Sequence, residues 1–356
     1  MDISQTMRRW WRKVRAWFAQ MRARIQASNA ARRSQTGDGD APLPRAEQER
    51  PVRWGFFARI ALIVMLVLLV VYPVTAWFYS HIDDDPNFAQ TNNLPAGQSH
   101  AVAATIALLD LEVNQRDWAA NDPFFWPTSL LDNMPNYQKG MVGALARFAF
   151  ELTDQIGRAR SSSEADPDLQ NAAGLLQYPP DVWVWDPSVS FWPTATSEQQ
   201  YRKAIKALRQ YNTRLANGKA IFDARTDNLQ FTLDRIAADL GSSSAIIEAH
   251  VRQKSGFPFQ NDTDDVFYSV KGQMYAYYIV LRALQTDFAG VIKQRDLAKP
   301  WANMMASFRS GIALRPTIVL NGAPDSGFVP CHLCSEGFYL LRARTQMREI
   351  TNILQQ

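Results

Sequence analysis

Three kinds of hydrophobic pattern follow one another along the chain, and each predicts a different element. In residues 8–25, Trp10, Trp11, Val14, Trp17, Phe18, Met21 and Ile25 recur at helical spacing and fall within an arc of about 120°. Arg8, Arg9, Arg12, Lys13, Arg15, Arg22 and Arg24 fill the rest of that circle. From Ile60 to Tyr79, IALIVMLVLLVVYPVTAWFY, the stretch carries no charge. At about 1.5 Å per residue it reaches about 30 Å, one hydrocarbon thickness. The Ile, Leu and Val side chains between Ile60 and Val71 together favour insertion by about 3–6 kcal/mol. The pattern predicts a transmembrane helix over 55–79. Trp54 marks one interface, and Trp77, Phe78 and Tyr79 form an aromatic belt at the other.

Beyond Ser99 the three/four spacing of amphipathic helices takes over. It predicts a helix from Ser99 to about Trp118, then a proline-rich loop over Asn121–Gly140, then a helix over Met141–Arg160. A short helix near Leu169–Gln177 precedes a second aromatic loop, Tyr178–Thr194. Helices follow over Ser197–Ala216, Thr226–Arg252 with an irregularity at Gly241, Asp264–Arg295, Trp301–Ile312 and His332–Leu354. Only Asp181–Trp185 and Thr317–Leu320 read as short strand candidates. The fold class is all-α: a single transmembrane helix followed by a bundle of six to eight helices, and preceded by a short amphipathic helix.

Charge changes the picture only once it is divided at the membrane segment. Residues 1–59 hold 13 Lys/Arg against 5 Asp/Glu, net +8, while residues 60–356 hold 25 against 29, net −4. Cytoplasmic flanks collect Lys and Arg, so the N-terminus is expected inside and the helical domain in the periplasm of a bacterial inner membrane. The organisation expected is a cytoplasmic basic helix (1–27), a flexible linker (28–54), the transmembrane helix (55–79), a polar stalk (80–98) and a periplasmic helical domain (99–356). A cleaved signal peptide fits poorly, because 59 residues are too many for its charged leader. Trp10, Trp11, Trp17 and Phe18, with Arg12, Arg15 and Arg22, suit the anionic lipid of the inner leaflet. A basic patch can also serve nucleic acid, but this one stands beside a membrane, and no nucleic-acid partner is expected.

Candidate chemistry is sparse. Cys331-His332-Leu333-Cys334 holds the only cysteines, at a spacing that permits a disulfide or a redox pair. Ser335 stands where a haem-attachment motif needs histidine, and the four histidines are not at metal-ligand spacing, so neither cofactor nor metal is expected. No hydrolase or phosphate-loop signature occurs. The two aromatic loops place carboxylates and amides beside indole rings: Asn121, Asp122, Trp126, Asp132, Asn133, Asn136 and Gln138 in one, Trp183, Trp185, Asp186 and Trp192 in the other. That mixture suits a glycan or a protein partner, and equally suits loops that brace a bundle.

Trp118 with Asn121-Asp122, the run Leu131-Asp132-Asn133-Met134-Pro135-Asn136-Tyr137-Gln138-Lys139-Gly140, Val319-Leu320-Asn321-Gly322, and His332 leading into the last helix resemble an uncharacterised proteobacterial family of single-pass inner-membrane proteins. The resemblance implies the same topology and a helical external domain, with no assigned activity. The function expected is a non-enzymatic envelope protein that binds a protein partner or peptidoglycan through the Asn121–Gly140 loop, Asn321 and His332. The alternatives are a wall-glycan enzyme using Asp122, Asp132 or Asp186, and a thiol–disulfide oxidoreductase using Cys331 and Cys334.

Overall fold

The computed structural model describes residues 20, 54–79, 82–89, 94–123, 126, 132–157, 165–185, 191–254 and 262–356, leaving out the side chains at 54–57, 72–73, 75–79 and 254. The basic arm, with Trp10, Trp11, Arg12, Arg15, Trp17, Phe18 and Arg22, and the linker up to residue 53 lie outside the described residues, apart from residue 20. The chain divides into two units, 1–61 and 62–356. Helix α1 is Trp54–Tyr79, 26 residues long. Its described side chains, 58–71 and 74, are all exposed. Over their described residues, no helix is long and apolar enough to cross a membrane.

The remainder is all-α. Among the described residues it comprises α2 (His100–Asp110), α3 (Asn133–Glu151), α4 (Pro167–Leu176), α5 (Ser197–Ala216), α6 (Thr226–Lys254), α7 (Thr263–Asp287), α8 (Ala289–Gln294), α9 (Ala298–Ile312) and α10 (His332–Leu354). Helix α7 is the axis. It packs against α2, α3, α6, α9 and α10, and every residue from Val270 to Leu281 is enclosed. The deepest contact is with α3. A Cβ at Gly140 would fall 1.9 Å from Ser269 O, and one at Gly272 would fall 2.1 Å from Tyr137 O. The two backbones touch there because neither crossing residue has a side chain.

Several boundaries depart from the sequence reading, each for a local reason. Helix α3 begins at Asn133 rather than Met141, because Pro135 sits in the first turn, where its missing N–H is not needed. The first helix stops at Asp110 and passes into a wider π-type turn, Leu111–Gln115, that carries the Glu112 carboxylate inward to Gln138 Nε2 at 3.1 Å. Helix α6 runs unbroken through Gly241, over which the Arg344 guanidinium lies while Arg344 Nε donates to Ala237 O at 3.0 Å. Helix α7 ends at Asp287, whose carboxylate accepts from Ser99 Oγ at 2.7 Å, His100 N at 2.8 Å and Ala101 N at 2.9 Å, capping α2. The two strand candidates pair in no strand among the described residues; an isolated bridge joins Asn321 to Cys331.

The segment expected as a stalk is, over residues 82–89, seated on the bundle. Asp84 is buried, with Oδ2 2.9 Å from Lys271 Nζ and Oδ1 bound by Arg315. Asp83 pairs with Arg116 at 2.7 Å, Tyr275 OH donates to Asp85 O at 3.0 Å, and Arg282 binds the carbonyls of Pro86 and Phe88. Local composition reads as solvated, but a charge on the buried α7 requires a partner, and this strap supplies it.

The α3–α7 crossing makes a direct prediction. Gly140→Ala should lower stability by about 1–3 kcal/mol through overpacking. Gly143→Ala on the same helix meets nothing within 4 Å and should raise it by about 0.5–1 kcal/mol. Denaturant unfolding of the two variants, followed by circular dichroism, compares them.

Candidate functional site

The residues singled out from the sequence fall into three groups, and most of them pin loops. Asn121 is buried and its Nδ2 donates to Val182 O and Glu198 Oε2, both at 2.9 Å. Gln138 is fully buried, with Oε1 accepting from Ala119 N at 2.9 Å and Nε2 donating to Asp117 O at 3.1 Å. Trp118 Nε1 donates to Pro180 O at 2.8 Å, and its ring meets Tyr201 edge-on. These bonds tie the two aromatic loops to each other and to α3. Asp122 is half-buried and Trp126 is exposed, whereas Asp186 lies outside the described residues.

The second group surrounds the start of α10. Cys331 and Cys334 are joined as a disulfide, and Cys331 Sγ accepts from Cys334 N at 3.1 Å as the helix cap. His332 Nδ1 accepts from Leu320 N at 2.9 Å, and His332 N donates to Leu320 O at 3.0 Å. Burial lowers the His332 pKa, in keeping with a ring that accepts at Nδ1. Asn321 is buried beside Cys331, its Nδ2 without a hydrogen-bond partner.

Asp132 and Asn136 meet the start of α7. Asn136 Nδ2 donates to Asp265 Oδ1 at 2.5 Å. Burial, with the nearby Asp132 and Asp264 carboxylates, pushes Asp265 up to about 6. Asn133 is half-buried beside them. Among the described residues no three His, Cys, Asp or Glu side chains gather as metal ligands.

The sequence reading missed a groove of about 730 Å³ beside the α3–α6 contact. Val142, Ala146, Phe150, Leu176, Tyr178 and Ile236 are among its lining residues, with Arg147, Arg235 and Lys139. Phe150 is half exposed, and the side chains of Arg147 and Arg235 are 65% and 71% exposed, so cations stand at the rim of an apolar floor. Arg147 is oriented by Asp239, whose Oδ1 lies 2.8 Å from its NH1. Asp239 in turn accepts from Tyr277 OH at 2.6 Å and Gln273 Nε2 at 2.5 Å. The only trace in the sequence was the helical spacing of Val142, Ala146 and Phe150, which reads as ordinary amphipathicity.

Fold and surface together define an all-α helical protein with an apolar, cation-rimmed groove. The chain belongs to the DUF2333 family of uncharacterized proteins conserved in bacteria, matching it over residues 47–257 and 258–356. No curated protein and no solved structure matches it.

The raised Asp265 pKa sets a pH prediction. A carboxyl whose folded pKa is about 6 against an ordinary 3.8 carries no penalty below its unfolded value and the full penalty above its folded one. Stability should therefore fall as pH rises from about 4 to about 6. Asp132→Asn should flatten that fall, which unfolding midpoints across the window would measure.

Proposed function

We propose that this chain is a membrane-anchored interaction protein of the bacterial envelope. Helix α1 crosses the bilayer once with the N-terminus inside, and the helical domain outside binds an apolar, acidic segment of a partner protein in the groove beside α3 and α6. The observation that carries the binding role is the groove itself: an apolar floor at Val142, Phe150 and Ile236 under the exposed guanidinium groups of Arg147 and Arg235. Apolar pockets of this size with a few placed polar groups are the usual form of a binding site. Lys139, Arg147 and Arg235 outnumber Glu151 and Asp239 around the groove, and that positive balance favours a carboxylate-bearing peptide over an uncharged sugar.

Two features support the anchor. The exposed side chains of Ile60, Leu62, Ile63, Val64, Met65, Leu66 and Leu68 face every direction around α1, which a helix surrounded by water does not tolerate. The +8 balance ahead of them favours retention of that flank inside.

A photo-crosslinking residue placed at Phe150 in living cells should capture a protein, and one at Phe338 on α10 should not. Arg235→Glu should reduce the Phe150 adduct about tenfold. Recovery of peptidoglycan fragments alone, or of the same adducts from both positions, would overturn the peptide reading. Asp132→Ala separates the enzymatic alternative: it should leave the adduct intact, whereas a glycan-cleaving enzyme would lose turnover of wall fragments. For the topology, a phosphatase fused after Gln356 should be active, and inactivity there would refute an external domain.

A further inference from the structure

Two loops with large exposed apolar side chains spring from the place where the chain leaves α1. Asp84 lies five residues beyond Tyr79, so its backbone is at most about 18 Å from the end of that helix. Asp84 is fixed in the bundle by Lys271 at 2.9 Å and by Arg315. Arg315 opens the segment 315–330, which is closed on itself by Gly322 N to Pro330 O at 3.1 Å and His332 N to Leu320 O at 3.0 Å. That segment presents Ile318, 60% exposed, and Phe328, 100% exposed.

The second loop is fixed from the neighbouring residue. Asp83 pairs with Arg116 at 2.7 Å, and within the next five residues Trp118 and Asn121 bind the carbonyls of Pro180 and Val182. Thr194 N donates to Val184 O at 2.9 Å, so the arms 182–185 and 191–194 form a rigid pair. They carry Trp185, Phe191 and Trp192, the last two 85% and 80% exposed, and no charged residue.

We propose that this end of the domain lies in the headgroup layer of the bilayer that α1 crosses, with Phe191, Trp192, Ile318 and Phe328 seated in the interface. The inference rests on the reading of α1 as a membrane span and goes beyond it. A single tether with a free stalk would let the domain tumble, but the strap of residues 82–89 leaves a connection too short for that. Trp and Phe favour the interfacial layer, and large exposed apolar groups held beside a membrane meet it at high effective concentration. Rigid loop bases remove most of the ordering entropy that such contacts otherwise cost. Arg315, exposed while it holds Asp84, is the cation that the segment 315–330 can offer to lipid phosphates, and Asp325 is its acid.

The test uses the full chain in nanodiscs of phosphatidylethanolamine and phosphatidylglycerol. The fluorophore NBD is attached at Phe191→Cys, Phe328→Cys or, as a control, Phe231→Cys. Phe231 lies one turn from Arg235, which faces Glu151 at the far end of α3 from Asn133. The disulfide keeps the native cysteines out of the labelling reaction. The labels at 191 and 328 should shift to the blue and lose about half their emission to lipids spin-labelled near the headgroup, with the control unchanged. Water-like emission at both positions in a chain that resists carbonate extraction would overturn the proposal and leave the anchor standing. Release of the whole chain by carbonate would overturn both. Shielding that appears only when wall fragments or a second protein are added would assign the loops to that partner instead.

Discussion

Lys271 is a charged side chain on a helix enclosed along most of its length, and the arrangement of the domain follows from meeting its requirement. An ammonium withdrawn from water needs an opposite charge and further hydrogen bonds, or it loses its proton. Burial does push Lys271 down, and Asp84 works against that, together with the Leu314 carbonyl at 2.6 Å. A buried pair of this kind adds little net stability, because desolvation offsets the attraction. What it does provide is position. In the observed register of the 82–89 strap Asp84 meets Lys271 while Asp83 meets Arg116, and the two pairings together place the strap on the bundle beside the loop that begins after Leu314.

Buried carboxylates elsewhere follow the same logic with different partners. Glu112 is enclosed and raised by burial, against which Arg116 and Gln138 act. Its residue sits in the π-type turn, so the wider turn and the buried acid are one feature: the extra residue per turn lets a polar side chain face the core at a point where α2 has to end. From that turn the chain reaches Trp118 and Asn121, which hold the second aromatic loop. The pinning of both loops thus traces back to two buried ionisable side chains, Lys271 and Glu112.

Much of this was legible from the sequence where it depended on local pattern. Helices α5 and α10 have the bounds that the spacing predicts, because Thr196 and Cys331 cap amphipathic stretches at their starts. The start of α3 was not legible, since Asn133-Met134-Pro135 reads as loop until Pro135 is recognised as a first-turn residue. Asn121 and Gln138 were marked as candidates for a working surface, and their bonds are to backbone and to Glu112 and Glu198 inside the domain. An amide looks the same in sequence whether it faces a ligand or a neighbouring loop. The groove depends on Phe150, Arg147, Ile236 and Arg235 coming together from two helices, and the Asp84–Lys271 contact joins residues far apart in the chain. Neither leaves a mark in any one window.

Glu336 completes the account of charge at the tethered end. It lies on α10 one turn beyond the disulfide, fully enclosed, with neither oxygen hydrogen-bonded, and burial raises its pKa well above the ordinary range. Lys271 acts on it in the opposite sense but does not offset the burial. Were Glu336 ionised, Lys271 would be shared between two carboxylates, and the strap would have a competitor for its only buried cation. Burial disfavours the charged form of Glu336 and so works against that competition, on the same side as the contact between Asp84 and Lys271.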